Sequence, residues 1–180
     1  MLDLPQKETE EFLHIARRRI INKHDFFILN GDIPQKVGYV LSGLFRYVYF
    51  DASGDEFTKS LIPEANFIVS YSAMINGHGS YFAIQALEDS TILEIDYQQW
   101  LSLKEENPVW NLFLVNLLEK AFAIKEKRER DLLLLDAETR YQNFLEEFPQ
   151  MENRVKQHII ASYLGIKPES LSRIKKKIVS

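Results

Sequence analysis

The 180-residue chain contains no cysteine, which removes disulfides, thiolate zinc sites and cysteine-ligated iron–sulfur clusters from its chemistry. Its first residues, MLDLPQKETEEF, have no basic start followed by an apolar run, and no stretch approaches the roughly 20 apolar residues of a membrane span. A cytoplasmic protein with no membrane partner is expected. Histidine is scarce: His14, His24, His78 and His158 show no ligand-like clustering, so neither a metal nor a cofactor is expected. No serine or histidine stands in a nucleophile elbow. These absences argue against an enzyme.

What is present is a globular composition, 46% apolar and 12% aromatic, enough for one good core with a small appendage. The net charge of −4 is unevenly spread. Residues 1–149 carry −9, whereas 150–180 carry +5 through Arg154, Lys156, Lys167, Arg173, Lys175, Lys176 and Lys177 against Glu152 and Glu169. A basic end on an acidic body suits contact with a polyanion, although charge alone favours a solvated lysine-rich tail.

Periodicity divides the chain into three. Phe12, Ile15, Ala16 and Ile20 keep helical spacing and predict a helix over Glu8–Ile21. From Asn22 to Tyr97 the period is two. Strands are predicted at Phe26–Leu29, Val37–Leu41, Leu44–Phe50, Glu56–Ile62, Tyr81–Leu87 and Thr91–Asp96, with turns rich in Gly, Asn, Asp and Pro between them. Many short strands at this spacing form an antiparallel sandwich or roll. Helical spacing returns over Pro108–Leu133, capped by Asn107. Trp110, Leu114, Leu117, Ala121 and Ile124 form a heptad-like seam assigned to a homodimer interface, while Phe113, Leu118 and Phe122 form a second stripe assigned to the roll; a single broad core face is the alternative. A further helix is predicted in LLLLDAETRYQNFLEEFP, capped by Asp136 and ended by Pro149.

The last stretch, HIIASYLGIKPESLSRIKKKI, reads as a helix from Gln157 to Leu164, a tight turn at Gly165 and a second helix opened by Pro168. Leu171, Ile174 and Ile178 give the second helix a buried side. Glu169, Ser170, Arg173, Lys176 and Lys177 give it a polar, cationic side. This is a helix-turn-helix pattern, and a major groove accepts such a helix. The surface assigned to double-stranded DNA is Gln157, Pro168, Glu169, Ser170, Ser172, Arg173, Lys175, Lys176 and Lys177.

A short helix, a β-roll, a long helix and a terminal helix-turn-helix, in that order, resemble the CRP/FNR family of bacterial transcription regulators over essentially all 180 residues. IASYLGIKPESLSRIKKKI resembles the recognition motif of its Bacteroidetes-type branch. Gly31, Gly43 and Gly54 fall where the family places its turns, and ANFIVSYSAM sits where its ligand cassette begins. The resemblance implies an α+β fold in three units: a cyclic-nucleotide-binding-like roll (1–107), a dimerisation helix (108–135) and a DNA-binding unit (136–180). It implies base reading by Glu169 and Arg173, an effector pocket at Val69, Ser70, Tyr71, Ser80 and Tyr81, and possible contact with RNA polymerase. The chain departs from the family at that pocket. Val69-Ser70 replaces the Gly-Glu pair that bonds ribose, and Ser80-Tyr81 replaces the Arg-Ser pair that meets the cyclic phosphate. A buried phosphate without a cationic partner is costly, so cyclic AMP is not the expected effector. Only two residues follow Ile178, leaving almost no sequence for a flanking β-wing.

Two other classes compete. A cupin-type metalloenzyme would need His and Glu ligands on neighbouring strands, and only His78 lies well inside the strand region. A helical hairpin that contacts another protein, such as polymerase, would share the terminal pattern but bind duplex DNA with less salt dependence.

Overall fold

The computed structural model describes residues 4–179. A first helix, α1 (Gln6–Ile15), leads into eight strands: β1 (Arg17–Ile21), β2 (Phe26–Ile28), β3 (Lys36–Ser42), β4 (Phe45–Phe50), β5 (Glu56–Ile62), β6 (Phe67–Ile68), then helix α2 (Tyr71–Asn76), β7 (Ala83–Ala86) and β8 (Ser90–Asp96). Helices follow to the end: α3 (Tyr97–Glu106), α4 (Val109–Leu134), α5 (Ala137–Glu147), α6 (Met151–Arg154), α7 (Gln157–Leu164) and α8 (Pro168–Val179). The strands make two four-stranded antiparallel sheets, ordered β1-β8-β3-β6 and β2-β7-β4-β5. This is the α+β roll with terminal helices expected from the alternation of turn residues and period-two segments.

The sheets close on an interior of Ile21, Phe27, Ile28, Val40, Phe45, Ile68, Phe82, Ile84, Ala86 and Ile92. Outward-facing residues of the first sheet, Tyr39 and Ile95, meet α1, α3 and the start of α4 in a second cluster around Phe12, Trp100, Trp110 and Phe113. A third cluster joins Leu44, Leu61 and Leu87 of the roll to α5, α6, α7 and α8. One glycine is indispensable to closure. Gly43 has φ +103°, and a Cβ there would collide with Ser90 Oγ and the Ser90 backbone, so only glycine serves both geometry and space.

The structure corrects several local expectations. The helix predicted to Ile21 stops at Ile15, where Ala16 turns extended (φ −80°, ψ 141°). Arg17–Ile21 is instead a strand paired with Glu94–Ser90 of β8. The β-branched pair at 20–21 and the Arg19–Glu94 ion pair at 2.6 Å favour sheet pairing over another turn of helix. The strand predicted to Leu29 ends at Ile28, and that predicted over Tyr81–Leu87 contracts to Ala83–Ala86. Two-residue β6 and the helices α2, α3 and α6 were not anticipated. Within α3, Asp96 Oδ1 accepts from the Gln98 amide at 2.9 Å.

The largest correction concerns α4. Its two apolar stripes divide along the helix, their N-terminal residues turning inward and their C-terminal ones outward. Trp110 is fully buried within its own chain, and Leu114 and Leu117 pack on the same cluster, so Trp110 has no surface left for a partner. Leu118 and Phe122, assigned to the roll, are exposed, Phe122 by 65%. Phe113 does face inward as assigned. Ala121 and Ile124 remain on the surface. The reason is the company α4 keeps: α1 and α3 bring Phe12, Trp100 and Leu103 against the helix at Trp110 and Phe113. The capping expectation holds, because Asn107 Oδ1 accepts from the Val109 amide at 3.0 Å.

Candidate nucleic-acid interface

The terminal helices begin from a capped start. Asp136 Oδ1 accepts from the Thr139 amide at 2.8 Å and starts α5, a contact worth about 1 kcal/mol. Helix α7 then buries Ile159, Ile160, Ala161, Tyr163 and Leu164. It ends at Gly165 in the left-handed region (φ +67°), where any other residue would cost about 1–2 kcal/mol. The Ile166 amide closes the turn on Ala161 O at 3.0 Å. Across the turn Leu171 is fully buried and Ile174 packs beside it. Ile178, expected on the buried side, is 42% exposed because the cluster ends one turn earlier.

This packing turns one side of α8 outward. Glu169, Arg173, Lys176 and Lys177 are all exposed on it, with Pro168 at its start and Gln157 nearby. Gln157 Nε2 reaches Pro168 O at 3.5 Å. Ser170, Ser172 and Lys175 are half-buried at the flanks. Arg173 Nε donates to the backbone carbonyl of Glu169 at 3.4 Å. The cations divide into two groups. Lys175 pairs with Glu152 at 2.6 Å and Lys177 with Glu138 at 2.6 Å, and the Glu138 carboxylate raises the Lys177 pKa. Among the described residues Arg173 and Lys176 form no ion pair, which leaves their charge directed at solvent.

Arg154 belongs to neither group. Its guanidinium bridges Glu64 (2.7 and 3.1 Å) and Glu88 (2.7 and 3.0 Å) on the roll, whose carboxylates raise its pKa further. Ser162 on α7 accepts from the Thr58 amide at 2.8 Å and donates to Glu56 O at 3.2 Å. Arg128 of α4 stacks 4.0 Å over the Tyr163 ring and donates to Thr58 O at 3.3 Å. The terminal helices are therefore tied to β5 by polar contacts that the sequence did not announce. Apart from the Arg128–Tyr163 stack, each partner lies more than 60 residues from its mate, and no local pattern links them.

The positions assigned to an effector lie at the base of the roll. Ser70 and Ser80 are buried and bonded to one another through their hydroxyls at 2.8 Å, and Ser80 Oγ also donates to Phe82 O at 2.7 Å. The Val69 amide donates to Tyr47 Oη at 3.0 Å. Burial raises the Tyr47 pKa to about 12, with the Val69 hydrogen bond acting in the opposite direction. Tyr71 opens α2 half-buried, whereas Tyr81 is 74% exposed, beside the His78 ring.

A family model described as "Cyclic nucleotide-binding domain" matches residues 18–107, half of the chain. The chain belongs to the cyclic nucleotide-binding domain family. Solved structures extend the likeness beyond the roll. The c-di-GMP-responsive global regulator CLP of Xanthomonas campestris superposes with a TM-score of 0.80 at 18% identity, over 97% of this chain and 91% of that one. FixK2 from Bradyrhizobium japonicum gives 0.82 at 15% identity, over 91% and 84%. A CooA mutant from Carboxydothermus hydrogenoformans gives 0.75 at 21%, over 98% and 85%. These are regulators of the CRP/FNR type, and at such identities the likeness is one of fold. A search of the curated proteins finds no match.

In this member of the cyclic nucleotide-binding domain family the cassette carries neither a carboxylate at Ser70 nor a cation at Ser80. Its two hydroxyls satisfy each other. Lys59 of β5 places its ammonium 4.0 Å from the Phe82 ring centroid. Sequence reasoning passed over Lys59. The signal was a lysine inside the apolar alternation of EFTKSLI; in the structure it lies beside an irregular step of β4–β5 pairing at Tyr47/Val48.

Proposed function

We propose that the protein is a transcription regulator that binds double-stranded DNA as a homodimer, reading a pseudo-palindromic site with one α8 per half-site. The observation that carries this reading is the outward face of α8. Glu169, Arg173 and Lys176 stand together on a helix whose opposite side is anchored by Leu171. A helix so presented fits the major groove as the second helix of a helix-turn-helix, with half-sites roughly 34 Å apart. Arg173, central on the face, suits bidentate bonding to guanine, and the Glu169 carboxylate suits a cytosine amino group. On this reading 1–107 is a sensor roll, 108–135 the dimerisation helix and 136–180 the DNA-binding unit, and the protein performs no catalysis. On this reading the terminal motif, which resembles that of the Bacteroidetes-type branch, is the DNA-binding element, and RNA polymerase is a further partner.

Selection of bound duplexes from random DNA, followed by anisotropy titration of the consensus site, tests the proposal. Arg173→Ala should cost about 1–3 kcal/mol per half-site and flatten preference at one base pair. Unchanged affinity and unchanged preference would transfer the α8 face to a protein partner. The effector is not a cyclic nucleotide on this reading, because the Ser70–Ser80 pair offers a cyclic phosphate no charge. Isothermal titration with cyclic AMP should give no binding heat, and micromolar affinity would refute the assignment.

A further inference from the structure

The short helix α6 carries one charged residue toward each of its two neighbours. On one side Arg154 forks between Glu64 and Glu88 of the roll, and each carboxylate accepts two of its hydrogen bonds. On the other side Glu152 Oε1 accepts from Tyr141 Oη of α5 at 2.6 Å and pairs with Lys175 Nζ of α8 at 2.6 Å. Tyr141 is buried, so the carboxylate it holds is fixed against the α5 core. Burial acts to raise the Glu152 pKa, but the Lys175 and Tyr141 hydrogen bonds and the Lys175 charge bring it below the ordinary glutamate value. Lys175 follows Arg173 by two residues and therefore leaves α8 from a different side. Its ammonium is held by Glu152 and half-buried.

The placement of α6 is itself fixed. Met151 at its start and Val155 just after it are buried in the cluster that Leu44, Leu61 and Leu87 share with the terminal helices. Gln150, which precedes α6, is left-handed (φ +65°), and so is Ala65, beside Glu64 (φ +62°). Residues with a side chain keep that conformation only where surrounding contacts hold them. Both outliers flank the link between roll and α6. We propose that Glu152 and Arg154 are positioning residues for α8: through Glu64 and Glu88, Arg154, Glu152 and Lys175, the roll joins α4 in fixing the angle at which α8 is presented. The inference rests on the DNA-binding reading above for its functional consequence. A single exposed ion pair contributes little, but a forked arginine within a network of carboxylates holds a geometry. Bidentate base contact depends on that geometry, whereas lysine stems reach phosphates over a range of angles. Base reading by residues 136–180 therefore requires the roll, and phosphate contact does not.

Anisotropy titration of the full chain with the selected consensus duplex and with a scrambled duplex tests the link. Arg154→Gln, Glu152→Gln and Lys175→Met should each weaken consensus binding by about fivefold and leave scrambled-duplex binding unchanged. Glu152→Gln keeps an acceptor for Tyr141 and removes only the charge that holds Lys175. Arg154→Gln combined with Lys175→Met should lose little more than either alone, because both cut one chain of contacts. Fully additive losses would overturn the proposal. So would an equal loss on both duplexes in Lys175→Met, which would make Lys175 a phosphate contact. Amide hydrogen exchange without DNA gives a second readout: α8 amides should exchange faster in Arg154→Gln and in Lys175→Met, while β3 amides keep their rates. Because Lys175 is half-buried at the surface, its variant keeps the test valid if Arg154→Gln folds poorly. Unchanged α8 exchange in both variants would overturn the proposal. A wild-type chain that binds neither duplex removes the regulator assignment, and the exchange rates then decide the positioning of α8 on their own.

Discussion

At the scale of single residues, the α8 face is not a uniform field of charge. Lys177 already shares its proton-bearing group with Glu138 at 2.6 Å, whereas Lys176 forms no ion pair among the described residues. A phosphate that meets Lys176 gains a cation surrounded by solvent ions, and those ions are released. A phosphate that meets Lys177 must compete with a carboxylate held in place, so fewer counterions leave. Lys176→Ala should therefore lower the slope of log affinity against log salt by about one per subunit. Lys177→Ala should lower it by clearly less. Titrations of one duplex at four salt concentrations distinguish them, and equal slopes for both variants would refute the division. The residue types on this face were legible in the sequence, because helical spacing alone gathers 169, 173 and 176. The pairing was not, since Glu138 and Glu152 come from other helices.

Among the elements, α4 shows most clearly where sequence reasoning stops. Its length and its cap were readable, and so was the presence of two apolar stripes. Which residues of the stripes turn inward depends on α1 ending at Ile15 and on α3, which occupies the stretch between the last predicted strand and Pro108 to which no element was assigned. With Trp110, Leu114 and Leu117 committed to the chain's own core, the exposed apolar residues of α4 open to the proposed second subunit include Val115, Leu118 and Phe122, at spacings of three and four, beside Leu112 and Ile124. Leu133 and Leu134, exposed by 76% and 75%, prolong the apolar surface at the end of the helix. Phe122→Asp should dissociate the proposed dimer while leaving the fold intact, since a buried unpaired carboxylate costs several kcal/mol. Leu117→Asp should instead destabilise the subunit itself. Sedimentation velocity and thermal melting separate the outcomes, and a Phe122→Asp protein that sediments as a dimer would remove α4's exposed stripe from the interface.

Over the whole molecule, the roll and the terminal helices are held in register by Arg154. The Arg154 hydrogen bond holds the Glu64 carboxyl below the ordinary glutamate range, against a smaller opposing effect of burial. A carboxyl with a lowered folded-state pKa contributes stability that is present above about pH 4.5 and is lost as pH falls through the folded value. Arg154→Ala should cost about 1 kcal/mol at neutral pH, a modest figure because the pair is partly exposed and screened by solvent. It should also reduce the loss of stability on acidification. Urea unfolding across that range provides the measurement, and an unaltered acid limb would show that the bridge contributes nothing.

The docking of α7 on β5 has another consequence. β5 ends its sheet, with β4 on one side only, so its other side would present a free row of peptide groups. Ser162 takes up Thr58 N–H and Glu56 C=O, and Arg128 takes up Thr58 C=O. An uncovered strand of that kind recruits strands from other chains and seeds aggregates. The same helix that presents α8 outward thus serves as a guard against self-association through β5. Any motion that lifts the terminal helices from the roll leaves that strand open to pairing for as long as the separation lasts.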